Sequence, residues 1–304
     1  MTFAHDEKAL WLKAKLFLNH AMDEGEPRTF DERALWASLA LELLAKAALS
    51  RVSPLLIASP TEDGNNLLIA SGLVAGDARF VSVPAHTLYS RCSKAFRPFS
   101  EREAQLITRA RNEYLHGGAP TFAPIPPEAW WPKYWAQAII LANAQDKSLE
   151  DLVGTSRVDT VEGYLTQNKK NIEHRVEMLL ERARQRLTQY REGTLSARLA
   201  EEWKRPMDLS AGLAYSAAET CPACGNEGRL EGDEVIGSEP HYEQVSEEDW
   251  DAWLELEVAA SYFSCDECRL VLDGYELLEA AEVSTSLSAT GELSQYQETE
   301  YGND

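Results

Sequence analysis

Two cysteine pairs of identical spacing, Cys221-Pro222-Ala223-Cys224 and Cys265-Asp266-Glu267-Cys268, tie the stretch from 221 to 268 into one folded unit. Two thiolates separated by two residues can reach one ion from a single tight turn, and two such turns complete a tetrahedral sulfur site. The pattern predicts one structural Zn2+ held by Cys221, Cys224, Cys265 and Cys268. Four thiolates saturate the ion and leave no open position for water, so the metal is expected to support the fold and not to carry chemistry. A redox dithiol is the competing reading of either pair. Gly225 suits the first turn, and Tyr262-Phe263-Ser264 reads as a strand delivering the second. Between the pairs, Ser246-Glu247-Glu248-Asp249 followed by Trp250, Trp253, Leu254 and Leu256 predicts an inserted helix. His241 in the same insert offers a substitute ligand, although a solvated loop histidine is the simpler reading. Cys92 stands alone and reads as a small buried hydrophobe.

Charge divides the chain near residue 208. The net charge is −21, and Lys+Arg balance Asp+Glu as far as that point, whereas residues 209–304 hold 2 basic and 23 acidic side chains. A segment so acidic is repelled by a phosphate backbone, which excludes it as the part that grips nucleic acid. It suits a basic protein partner or a regulatory role. Past Ala281 the sequence turns Ser-, Thr-, Gln- and Glu-rich with few large apolar residues, which predicts an acidic disordered tail over 282–304. Asp6, Glu7 and Lys8 interrupt any signal-peptide pattern, and no run of eighteen apolar residues occurs. A soluble cytoplasmic protein is expected.

Before residue 208 the periodicity is helical. Leu10, Ala14, Phe17 and Ala21 mark a helix over 5–24, and the capping box Thr29-Phe30-Asp31-Glu32 opens another in which Leu35, Leu39 and Leu43 recur every four residues. Residues 53–83 are broken by prolines and glycines and predict irregular structure. A helix over 85–96 follows, then one opened by Ser100-Glu101-Arg102-Glu103, carrying Ala104, Leu106, Ile107, Ala110 and Leu115, and stopped by Gly117-Gly118. Trp130, Trp131, Tyr134 and Trp135 lead a further apolar helix and read as core or interface more readily than as a base-stacking platform. Residues 156–205 predict a long charged helix, interrupted near Gly193. Its basic residues Lys169, Lys170, Arg175, Arg182, Arg184 and Arg186 suit either a solvated face or a phosphate contact.

The chemistry-bearing string is Arg111-Asn112-Glu113-Tyr114-Leu115-His116, at the end of the helix that Ser100 opens. Asn112 and His116 share a face, and Arg111 lies about 140° round from His116. His116 has the residue type for acid–base work near neutral pH, and the last helical turn favours its protonated form. Arg111 presents a permanently charged fork for phosphate oxygens, and Asn112 can orient the phosphate or the imidazole.

This Arg-Asn-x3-His string resembles the signature of the HEPN superfamily, and Ala34 to Ala47, with its internal Glu42, resembles that family's second helix. The resemblance covers roughly residues 5–150. It implies a bundle of four or five helices, a homodimer that brings two Arg–His pairs together, and a metal-independent endoribonuclease leaving a 2′,3′-cyclic phosphate and a 5′-hydroxyl. Arg111, Asn112 and His116 are then the catalytic residues, no cofactor is needed for the reaction, and the substrate is RNA. Work as a toxin or an antiviral effector becomes the expectation. Glu42 reaches the site to tune His116 or Arg111, or simply pairs with Lys46 one turn on.

The expected fold class is mainly α: a HEPN-like helical bundle over 1–154, a charged helical connector over 155–208, an acidic α+β zinc-ribbon-like domain over 209–281 and the tail over 282–304. The competing function is a non-catalytic dimeric scaffold whose acidic zinc module binds a protein. A zinc-ribbon reader of nucleic acid is disfavoured by the charge.

Overall fold

The computed structural model describes residues 5–23, 25, 27–75, 80–118, 122, 126–195, 197–205, 207–244 and 250–292. The chain forms two compact units, residues 1–169 and 170–304.

The first unit is helical: α1 (Glu7–Met22), α2 (Phe30–Val52), α3 (Asn65–Ala70), α4 (Ala85–Ala95), α5 (Glu101–His116), α6 (Pro127–Asn143), α7 (Leu149–Val153) and the start of α8 (Val158–Arg191). The Thr29 capping box forms in full: Thr29 Oγ1 accepts from Glu32 N, and Glu32 Oε2 accepts from Thr29 N at 3.0 Å. α2 is the central helix, touched by α1, α4, α5 and α6. Its deepest positions are small: Ala34, Ala37, Ala40, Ala45, Ala47 and Ala48 are fully buried beside Leu41 and Leu44. Leu35, Leu39 and Leu43, the expected stripe, are only half-buried. A helix packed from several sides needs close backbone approach, which alanine permits and a leucine row does not. The aromatic residues of α6 are core, with Trp130 stacked on Tyr134 at a centroid distance of 5.2 Å and Trp135 fully buried. The irregular stretch after α2 is a turn of 3-10 helix at Pro54–Ile57, the short α3 and an antiparallel bridge between Ala58 and Ser82.

The second unit contains the rest of α8, then α9 (Ala197–Lys204), β1 (Tyr215–Thr220), β2 (Glu227–Gly232), β3 (Glu234–Gln244), β4 (Trp250–Ala259), β5 (Tyr262–Cys265), β6 (Leu270–Asp273), α10 (Tyr275–Ala280) and β7 (Ser286–Glu292). Two antiparallel sheets form, in the orders β1-β2-β5-β6 and β3-β4-β7. Their core joins Leu230, Leu256, Val258, Phe263 and Leu272 with Val176, Ala183 and Leu187 of α8.

Three expectations give way here. The insert is not a helix: from Trp250 onward it is β4, which alternates buried Leu254, Leu256 and Val258 into the core, while 246–249 lie outside the described residues. The tail is not structureless from 282. β7 pairs with β4 over Ser286–Glu292 and buries Leu287, and 293–304 lie outside the described residues. The stretch 155–208 is not a separate connector, because α8 gives Val158, Val161 and Tyr164 to the first core and Ile172, Val176, Ala183 and Leu187 to the second. Among the described residues no helix is long and apolar enough to cross a membrane.

Candidate active site and candidate metal centre

α5 starts as its sequence predicts, with Ser100 Oγ accepting from Glu103 N at 3.3 Å. The reciprocal half of the box is absent. Ser100 N donates instead to the buried Gln137 Oε1 of α6 at 2.6 Å, and Glu103 pairs with Lys133. The packed stripe of α5 then runs Ala104, Ile107, Thr108, Arg111, Tyr114. Leu106 and Leu115, expected in that stripe, are 45% and 48% exposed. Arg111 is therefore on the inward face. Asn112 and His116 are exposed on another face, as 100° per residue requires.

Arg111 is 12% exposed, and its Nη1 donates to Glu42 Oε2 of α2 at 2.7 Å. The other carboxylate oxygen, Glu42 Oε1, accepts from Lys46 Nζ at 2.7 Å. Glu42 thus pairs with Lys46 and with Arg111 at once. Burial pushes the Glu42 carboxyl up, but the ammonium of Lys46 and the guanidinium of Arg111 outweigh it and hold the group below its ordinary value. On the exposed side, Arg111 Nε and Nη2 both donate to Asn112 Oδ1, at 3.2 and 3.1 Å. Beneath the pair, Thr108 Oγ1 donates to the hydroxyl of the fully buried Tyr89 at 3.2 Å, and burial raises that phenol far above its ordinary value.

His116 closes the helix. The turn behind it needs glycine, because a Cβ on Gly117 would lie 2.6 Å from Glu113 O. Among the described residues no hydrogen bond or ion pair joins His116 to Arg111, Asn112 or Glu42. The structure thus brings Arg111, Asn112 and Glu42 together and leaves His116 apart. Lys46, Tyr89 and Thr108 complete the polar cluster. The Glu42–Lys46 spacing of four residues was the available sign for Lys46; the tyrosine and threonine carried none.

In the second unit the hairpins β1–β2 and β5–β6 each turn through one cysteine pair, and β2 pairs with β5. Both turns place a left-handed residue just after their second cysteine, Gly225 at φ +72° and Arg269 at φ +59°. All four Sγ atoms lie within 4.8 Å of one another, with Cys221–Cys268 at 3.5 Å and Cys224–Cys265 at 3.7 Å. Tetrahedral zinc with Zn–S bonds of 2.3 Å spaces its sulfurs about 3.8 Å apart, whereas a disulfide needs about 2.0 Å. The donors fit one zinc ion, and the cysteines are not cross-linked. Contacts among the sulfurs lower the Cys221 thiol and raise that of Cys268, so the cluster shares its protons unevenly.

Basic side chains brace these turns. Arg184 of α8 donates to Pro222 O and Ala223 O at 2.9 and 3.0 Å, and Arg191 pairs with Glu267 at 2.8 Å. Arg269 lies 5.0 Å from the Trp203 ring centroid and donates to Trp203 O. Arg184 is thus engaged by the first turn. His241 sits on β3 and not in a loop, stacked on Trp253 and 3.0 Å from Glu255, and takes no part in the sulfur cluster. Cys92 is fully buried in the first core, where burial pushes its thiol up to about 12, as fits an inert hydrophobe.

Comparison with family models, with curated proteins and with solved structures finds no match to this chain.

Proposed function

We propose that the chain is a metal-independent endoribonuclease of the HEPN type, acting as a toxin or antiviral effector, whose zinc-bearing acidic unit regulates it. The observation that carries this reading is the state of Arg111. It is a guanidinium turned into the bundle, fixed by a carboxylate from the neighbouring helix, one turn before an exposed histidine. A purely solvated arginine would not be anchored in this way.

In the proposed reaction the 2′-hydroxyl of RNA attacks the adjacent phosphorus and the 5′-oxygen leaves. The products carry a 2′,3′-cyclic phosphate and a 5′-hydroxyl. Arg111 stabilises charge on the non-bridging oxygens, and His116 moves the proton at the 2′- or the 5′-oxygen. Asn112 borders the same phosphate. Arg111 and His116 leave the helix about 140° apart, so the imidazole facing a given guanidinium comes from a second copy in a homodimer. Zinc at the four cysteines holds the turns of the second unit and takes no part in the reaction. DNA lacks the attacking hydroxyl and is resistant.

The test is the end chemistry of RNA incubated with the purified protein in EDTA. Cyclic phosphate ends that vanish in the Arg111→Ala/His116→Ala variant support the reading, and undiminished cleavage by that variant refutes it. A second reading is favoured by the separation of His116 from Arg111: a non-catalytic dimeric scaffold whose acidic zinc unit binds a basic protein. RNA left intact by wild-type protein that still dimerises would select it.

A further inference from the structure

The guanidinium of Arg111 has an inner side anchored by a carboxylate and an outer side met by a neutral amide. Its inner nitrogen, Nη1, is fixed to Glu42, which is itself fixed to Lys46, and Arg111 is 12% exposed, so the group has little room to move. Its outer edge, Nε and Nη2, is the edge with which arginine grips carboxylates and phosphates side-on. Among the described residues a single neutral atom occupies that edge, the carboxamide oxygen of Asn112, at 3.2 and 3.1 Å. Because every arginine nitrogen is a donor, the atom received there must be the oxygen and not the amide nitrogen.

The arrangement is asymmetric in two respects. Asn112 is exposed and, among the described residues, its side chain is bonded only through its own carboxamide oxygen, whereas the arginine is half-buried and ion-paired from within. One oxygen shared by two donors is also a poorer partner than two oxygens, each taking one bond and carrying negative charge. Lys46, Arg111 and Glu42 together leave one net positive charge in a half-buried place, with the uncharged Tyr89–Thr108 pair beneath it. That charge is left for an anion approaching from outside.

We propose that the Nε/Nη2 edge of Arg111 is a preset seat for a phosphodiester, held from within by Glu42 and filled by the carboxamide of Asn112 until RNA displaces it. Asn112 is then a latch that competes with the substrate. This rests on the nuclease reading for the identity of the anion, and it reverses the sign expected of an asparagine that helps to bind phosphate.

The probe is a 2′-O-methyl RNA oligonucleotide, which binds but offers no 2′-hydroxyl for attack, titrated at one fixed salt concentration onto full-length protein and followed by fluorescence anisotropy. Asn112→Ala removes two competing hydrogen bonds from an exposed position and is expected to tighten binding roughly three- to ten-fold. Arg111→Lys keeps the charge but lacks the forked edge. It is expected to weaken binding and to make Asn112→Ala without effect when the two are combined. Unchanged or weaker binding by Asn112→Ala in the wild-type background overturns the latch, as does an equal effect of that substitution in the Arg111→Lys background. Should the binding pattern appear as expected while wild-type protein leaves unmodified RNA uncut, the seat stands and the nuclease reading falls.

Discussion

The two units solve the problem of stability differently. The bundle buries an uninterrupted core of alanine, leucine and aromatic side chains around α2 and carries balanced charge. The second unit has a smaller core, short strands and 23 acidic side chains between 209 and 304, and it draws its turns together at four sulfurs. One is held by packing, the other by packing around a four-cysteine cluster fit to hold one zinc ion. The contrast also separates the two polar clusters: one is a charged network anchored inside the bundle, whereas the sulfur cluster closes on itself.

Metal removal gives the largest effect. Zinc binding to a structural site contributes on the order of 10 kcal/mol, so a strong chelator, or Cys221→Ser with Cys265→Ser, should melt the second unit while the bundle keeps its helical signal. Thermal unfolding followed by circular dichroism would show two transitions separating, and a single transition lost as a whole would break the comparison. In the opposite direction, Leu44→Ala opens a cavity in the fully buried centre of α2. It should cost about 3 kcal/mol in the transition that chelator leaves untouched.

A smaller effect comes from acid. The folded-state value of Glu42 is depressed, so its contribution to the bundle is fully present above the ordinary carboxyl value of 4.5 and is lost as pH falls through the lower folded value. Wild-type protein should therefore lose its margin over Glu42→Gln as pH drops below that point, which parallel thermal melts across the acid range would measure. A margin that is flat in pH would remove the ion pair from the account. Smallest is Gly225→Ala, which forces a side chain to φ +72° at the first cysteine turn. It should cost about 1 kcal/mol and move the chelator-sensitive transition alone.

Much of this was legible where one local cause acts. Thr29 and Ser100 announce helix starts because a side-chain oxygen completes an orphan N–H, and the cysteine spacing announces its turns because two thiolates per turn is a geometric demand. Local pattern is silent where a tertiary partner decides. Leu106 and Leu115 look like the buried stripe of α5, but the inward positions go to Thr108 and Arg111, since Glu42 on α2 makes a charged group tolerable there. In β4, the alternation of Leu254, Leu256 and Val258 was visible but masked by the acidic run at 247–249, which imitates a helix start. Leu287 and Ala289 in β7 alternate too, within a composition too polar to suggest a strand. The direction of Asn112, toward the guanidinium beside it, depends on how Arg111 is held and leaves no trace in spacing.

The most direct test of the division between the units is the rate at which RNA acquires 2′,3′-cyclic phosphate ends, with and without chelator, in wild-type protein and in Arg111→Ala/His116→Ala. Cyclic ends are expected to continue to form after zinc is stripped and to disappear in the double variant with zinc in place. Cleavage that stops with the metal and survives the double variant would contradict that division.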